Sequence, residues 1–219
     1  MYKLLTFVFL TSVLLAACSS GSSDEVGTGV QMPTPGGGGA GDPMVEEDGA
    51  VRNSNGTVTV TAGTTTLDLP VENSDSTDGL PRWFDGSVNA DGFETDAVLA
   101  IGGIQDGTFF SAVSGDFASA PVGSLTYQGR YEINTSTVGV GSPLTIEYDA
   151  SQSTITALDG DFEVSGDVTN AGVATGTVTF EGVSTDFNGG FFGPDADVVG
   201  VFHSNSFAGI FYGDETAGP

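Results

Sequence analysis

The sequence predicts an all-β protein: a soluble antiparallel barrel of about eight strands, placed after a signal peptide and a disordered tether. Three observations carry this. From Leu125 onward, apolar and polar residues alternate with period two in a series of short runs, as strands with one buried face do. The runs recur about every ten residues, broken by Gly, Asn, Asp or Ser, which is the spacing of an antiparallel meander. The chain is rich in Gly (34) and Phe (15), and no long segment carries a helical period. Closing such a meander into a barrel removes its unpaired edges.

Residues 1–17 form the first segment. A single cation, Lys3, precedes an almost unbroken apolar run from Leu4 to Ala17, too short to span a bilayer as a mature helix and shaped like a signal peptide. It ends in Leu15-Ala16-Ala17-Cys18. Small residues before a cysteine resemble the bacterial lipobox, in which the thiol is acylated, palmitate included, before cleavage. An ordinary signal peptide would leave Cys18, the only cysteine, as an odd thiol in an oxidising compartment.

Residues 18–50 are Ser, Gly, Pro and acid, including Pro33-Thr34-Pro35 and Gly36 to Gly39. They cannot bury enough apolar surface to offset their ordering entropy and read as a flexible linker. About thirty such residues reach roughly 30 Å.

Residues 51–104 are read as a short β-rich segment. Thr57 to Thr61 and Thr66 to Leu69 alternate as half-buried strands. The stretch from Asp75 to Asp96 is polar and Gly-rich and reads as a long loop with one aromatic anchor, Arg82-Trp83-Phe84. Ala97 to Ile101 is either a buried strand or part of a short helix, and Thr108 to Val113 is a strand. Residues 105–214 hold the barrel. Its eight runs lie within Leu125–Ile133, Leu144–Tyr148, Ser153–Thr156, Asp161–Ser165, Gly176–Phe180, Phe187–Phe192, Val198–Phe202 and Phe207–Tyr212. Residues 215–219 are a tail. The runs are shorter than transmembrane strands and their outer faces carry Thr, Glu and Asp, which argues against a membrane-spanning barrel.

Without its signal the chain has three cations, Arg52, Arg82 and Arg130, against 29 acids, a net charge of −26. That charge repels nucleic acid and anionic head groups. Any membrane link is then the lipid on Cys18 rather than a basic patch. With no second cysteine, the fold holds through core burial alone, for which about 170 residues suffice.

Candidate chemistry is sparse. His203, the only histidine, stands at the end of a strand, where it could ligate haem iron or a metal; no second His, Cys or Met stands at a helpful spacing, and an ordinary strand-end residue is the alternative. Haem is the one cofactor suggested, and no metal site is expected. Ser87 to Asp96 is similar to a calcium loop but has Ser87 and Val98 at the first and last ligand positions; a solvated acidic loop is the alternative. Asp195 and Asp197 could pair for acid–base work, though close acids are expected by chance in so acidic a chain. Arg82, Trp83 and Phe84 could form an exposed partner contact, since Trp and Arg favour hot spots; a buried loop anchor is the other reading. No nucleophile–base constellation stands out, and the chain is read as a non-enzyme.

One stretch resembles a known family. Asn188-Gly189-Gly190-Phe191-Phe192-Gly193-Pro194-Asp195-Ala196-Asp197, followed by Gly200, Phe202, Gly209 and Phe211, is similar to the C-terminal signature of the transferrin-binding protein B-like β-barrel lipoproteins. Leu144 to Asp149 and Tyr127 to Tyr131 look like earlier strands of that barrel. Val201 and the ending Gly213-Asp214-Glu215 depart from the pattern. The resemblance implies a surface lipoprotein that binds a protein or small-molecule ligand in iron, haem or other nutrient acquisition. It implies that Gly190, Phe191, Phe192, Gly193, Pro194, Ala196, Gly200, Phe202, Gly209 and Phe211 build the fold. Larger members carry a full β-rich handle before the barrel; residues 51–104 are too short for one, so direct transferrin binding is not expected. An envelope lipoprotein with a purely structural or interaction role is the alternative. Ser19 after Cys18, where an inner-membrane retention signal has Asp, implies the outer membrane, facing either the cell surface or the periplasm.

Overall fold

A computed structural model describes residues 49–62, 65–73 and 80–215. Cys18, the signal peptide and the expected linker up to residue 48 lie outside the described residues, as do 216–219 of the expected tail. Fifteen strands and no helix occur among the described residues. β1 (Ala50–Arg52), β2 (Val58–Ala62) and β3 (Thr65–Leu69) form a three-stranded sheet. β4 (Arg82–Phe84), β5 (Val88–Glu94), β6 (Val98–Gln105) and β7 (Thr108–Gly115) form a four-stranded one. The rest is a closed antiparallel barrel: β8 (Leu125–Thr135), β9 (Gly139–Asp149), β10 (Thr154–Asp159), β11 (Phe162–Val168), β12 (Val173–Phe180), β13 (Val183–Phe192), β14 (Asp197–His203) and β15 (Phe207–Glu215). Each strand pairs with the next, and β15 returns to β8.

The eight alternating runs are the cores of β8 to β15. Short turns set their register. Glu181-Gly182 joins β12 to β13 with φ of 49° and 77°, and Asp106-Gly107 joins β6 to β7 with φ of 49° and 81°. Positive φ at both turn positions makes these type I′ hairpins, whose twist matches that of the strands.

Two expectations are corrected. The stretch up to Asp96 is not a long loop where it is described: it contains β4 and β5. Of the two readings for Ala97–Ile101 the strand holds, as β6 from Val98. Asp91 and Gly92 weaken the strand signal, but their neighbours bury both, so β5 forms although its sequence reads as loop. Barrel strands are also longer than expected, reaching 11 residues in β8 and β9. Length therefore does not set this barrel apart from a transmembrane one; polarity does. Tyr127, Leu144, Ile146, Ile155, Phe162 and Phe211 fill the inside. Thr145, Glu147, Asp149, Glu163, Ser165 and Asp167 face solvent. That is the reverse of a porin-type wall, which is apolar outward and polar inward.

The barrel interior is packed rather than open. Tyr131 stacks on Phe162 at 4.1 Å, Phe162 meets Phe202 at 5.9 Å, and Phe187 meets Phe211 edge-on at 5.2 Å. Such pairs add about 0.5–1.5 kcal/mol each beyond area burial. Gly200 makes room for them: a Cβ there would sit 2.2 Å from the Phe211 ring.

The four-stranded sheet lies between two partners. One face, with Trp83, Ala90, Ile101 and Phe110, packs on Val58, Val60 and Leu69 of the three-stranded sheet. The other, with Phe93, Val98, Ala100 and Val113, covers Val199, Val201, Ile210 and Tyr212 on the outside of the barrel. This explains adjacent Phe191 and Phe192. Strict alternation sends Phe191 inward and Phe192 outward, yet both are buried, because Phe192 lands under Phe117 at 4.5 Å. The resemblance boundary at residue 105 falls at the end of β6, and β7 pairs within the four-stranded sheet; the hydrogen-bonded barrel runs from Leu125 to Glu215.

At the seam, β6 crosses β15 backbone to backbone. A Cβ on Gly102 would lie 2.5 Å from the carbonyl carbon of Gly209. Gly102→Ala is expected to lower stability by about 2–3 kcal/mol, the cost of forced overpacking, with the far-ultraviolet circular dichroism unchanged below the transition. Denaturant titration checks it; stability equal to wild type would show that the crossing has slack.

Candidate functional site

β4 splits the Arg82-Trp83-Phe84 trio. Trp83 points away from the barrel and is fully buried, where the Arg52 guanidinium lies 5.9 Å from its ring centre. It is a core anchor and offers no contact surface. Arg82 points toward the barrel and donates from Nε to Asp91 Oδ1 at 2.7 Å. Phe84, beside it on the same face, is 62% exposed. The three do not form one patch.

Asp91 anchors a buried polar row between sheet and barrel. Its second carboxylate oxygen accepts from Asn134 Nδ2 at 2.9 Å, and the same amide donates to the Gly102 carbonyl at 3.2 Å. Along β8, Arg130 donates through Nη2 to Glu132 Oε1 at 2.8 Å. Arg130, Glu132 and Asn134 alternate outward from the barrel, as a polar face should, but the sheet covers Glu132 and Asn134. Sequence reasoning missed this row because period two identifies which residues leave the barrel, not what lies over them. Burial pushes the Glu132 carboxyl above its ordinary value, and the nearby Asp91 adds to this against the Arg130 hydrogen bond.

The third arginine works the same way. Arg52 on β1 donates to Glu72 at 3.0 Å and to Glu94 on β5 at 2.8 Å, tying the two sheets together. Each arginine thus pairs with carboxylates.

His203 ends β14 with Nδ1 2.8 Å from Ser111 Oγ on β7. The interior beside it is occupied by Phe202, Phe207 and Phe211. His203 itself faces out of the barrel, in line with Ala208 and Asn134, where its ring is engaged with the sheet. Among the described residues no group of three His, Cys, Asp or Glu side chains could hold a metal ion. The calcium-loop stretch is strand β5, with Asp91 committed to Arg82 and Asn134. Asp195 and Asp197 flank Ala196 at the β13–β14 turn, and burial followed by repulsion from Asp214 and Asp195 raises the Asp197 carboxyl. On the outer wall, a shallow groove of about 350 Å³ crosses β9 to β11 between Thr145, Glu147, Thr156, Leu158, Glu163 and Ser165. Its two glutamates disfavour anions.

The residues of the family-like signature serve the fold. Phe191, Phe202 and Phe211 sit in the barrel core. Gly190, Gly200 and Gly209 lie against neighbouring backbone or rings, and Gly193, Pro194 and Ala196 form the turn into β14.

No family model and no curated protein matches the chain. Among solved structures, it is similar to a surface lipoprotein at 16% identity and a TM-score of 0.45, covering 74% of this chain and 93% of that one. It is similar to Transferrin Binding Protein B from Haemophilus parasuis at 13% identity and a TM-score of 0.47, covering 74% of this chain but 40% of that one. It is also similar to the haemoglobin receptor HpuA from Kingella denitrificans at 11% identity and a TM-score of 0.44, covering 73% and 82%.

The seam carries a pH signature. Glu132 has a raised value in the folded state, so its contribution to stability is complete below the ordinary glutamate value of 4.5. It is lost as pH rises through the higher folded value, where a buried carboxyl must ionise. Glu132→Gln, which mimics the protonated form, is expected to match wild type near pH 4.5 and to exceed it in thermal midpoint at pH 7. A constant difference across that range would remove Glu132 as the source.

Proposed function

We propose that this chain is a lipid-anchored lipoprotein of the outer-membrane surface whose sheet-and-barrel body captures a partner protein in the acquisition of iron, haem or another nutrient. One observation carries the choice of a protein partner: the barrel interior is packed with aromatic side chains. Barrels that carry small ligands keep a cavity for them. Here binding falls to the outside, and outer surfaces suit macromolecules. The Leu15 to Cys18 signal supports the anchor, and Ser19 supports the outer membrane. The mature chain divides into the linker from Cys18 up to the start of β1, the β-rich segment and the barrel. The division of labour is then physical: lipid holds, linker extends, body binds.

Cys18→Ser is expected to move the protein from the membrane fraction to the soluble fraction without changing its thermal midpoint, since no disulfide depends on that thiol. Protease added to intact cells should cleave the wild-type body; full protection would place it in the periplasm and overturn surface capture. Wild-type protein on vesicles that retained no protein from the surrounding medium would favour the envelope role without a ligand.

A further inference from the structure

The four-stranded sheet is longer than the barrel surface it covers. Directly paired residues on its barrel-facing side fall into successive rows. Arg82, Asp91, Gly102 and Ser111 form one row by register. All of it is engaged at the seam: Arg82 through Asp91, Asp91 and Gly102 by Asn134, and Ser111 by His203. The next row outward is Phe84, Asn89, Ile104 and Phe109. It points the same way but lies past the barrel contacts. Phe84 is 62% exposed, and Ile104 and Phe109 are only partly buried. Alongside, the β8–β9 hairpin that begins just after Asn134 carries Val138, 56% exposed. Phe84 on β4 and, across the polar Asn89, Ile104 and Phe109 on the adjacent β6 and β7 put three large apolar side chains in one row, with Phe84 the most exposed.

Two facts identify the occupant. The first is position. The described body begins at Gly49, and Ser114 on β7 donates to the Ala50 carbonyl. Phe109 lies five residues back along β7, about 16 Å away at the rise of a strand. The row is therefore at the opposite end of the sheet from Gly49, clear of the point where the described body begins. The second is charge. The hairpins beside the row expose Asp85 and Asp106, and the chain carries 29 acids against 4 lysines and arginines. A second copy is repelled, whereas a cationic surface is attracted and steered.

We propose that Phe84, Ile104 and Phe109 form a docking row for an apolar side chain of a cationic partner protein. This deepens the capture reading above and rests on it. Full-length protein in phosphatidylcholine vesicles is titrated with a labelled peptide alternating lysine and phenylalanine, then with lysine–serine and glutamate–phenylalanine controls, each corrected by protein-free vesicles. The first is expected to bind at least tenfold more tightly than either control. Phe84→Ser and Ile104→Thr are each expected to weaken it about tenfold, with Phe84→Ser leaving the thermal midpoint unchanged. Equal binding of the lysine–serine peptide would mean charge alone acts and would overturn the row, as would unchanged binding in both variants. A wild-type dimer abolished by Phe84→Ser would overturn the cationic partner in favour of a second copy. Protease shaving separates the two readings: an exposed body with an inert row sinks the row alone, and a protected body sinks surface capture while the peptide titration still reads the row.

Discussion

The rest of the structure depends on the docking of the four-stranded sheet against the outside of the barrel. At its centre two backbones meet without side chains, Gly102 against Gly209. Close approach of that kind is available only to glycine, and it brings the flanking residues within reach of one another. Phe93 then stacks on Tyr212 at 4.2 Å on one side, and Asn134 reaches Asp91 and Gly102 on the other. The contact converts part of an outer barrel wall into core.

That contact also decides where the positive charge goes. The described body has three arginines, and each sits where elements meet: Arg52 between the two sheets, Arg82 and Arg130 at the seam. At the seam, Asp91 and Glu132 would otherwise be buried without a counter-charge, which costs several kcal/mol per ion. The cations are spent on cohesion. The exposed surface is left acidic, and the field it presents to a partner is of one sign. A closed, side-chain-filled barrel adds rigidity but no interior site, so the chemistry available for recognition lies on the outer wall and at the ends of the sheets.

Much of the barrel was legible in the residues. All eight of its strands were visible: β8 to β12 bury one face and expose the other for most of their length, the asymmetry that a period of two records, while β14 and β15, buried on both faces, stand out as short apolar runs between turn residues. The segment before the barrel was harder to read. β5 contains Asn89, Asp91 and Gly92, residues that read as loop, but Asp91 is paired and Gly92 is packed against the Trp83 ring. Arg82-Trp83-Phe84 looked like one unit in sequence; strand alternation sends its members to opposite faces and gives them separate fates. His203 stood out for its rarity and became a hydrogen-bond partner of Ser111.

By itself, the sequence determined the strand class, the barrel runs, the acidic field and the lipobox-like cysteine, because each is a property of composition or of a local pattern. Only the tertiary structure decided that Phe192 is covered, that Glu132 is buried, that the barrel is full, and that Phe84 stays exposed. These depend on which surfaces meet, and residues far apart in the chain set them: Gly102 meets Gly209 across more than half of the described body. No local pattern encodes such a contact.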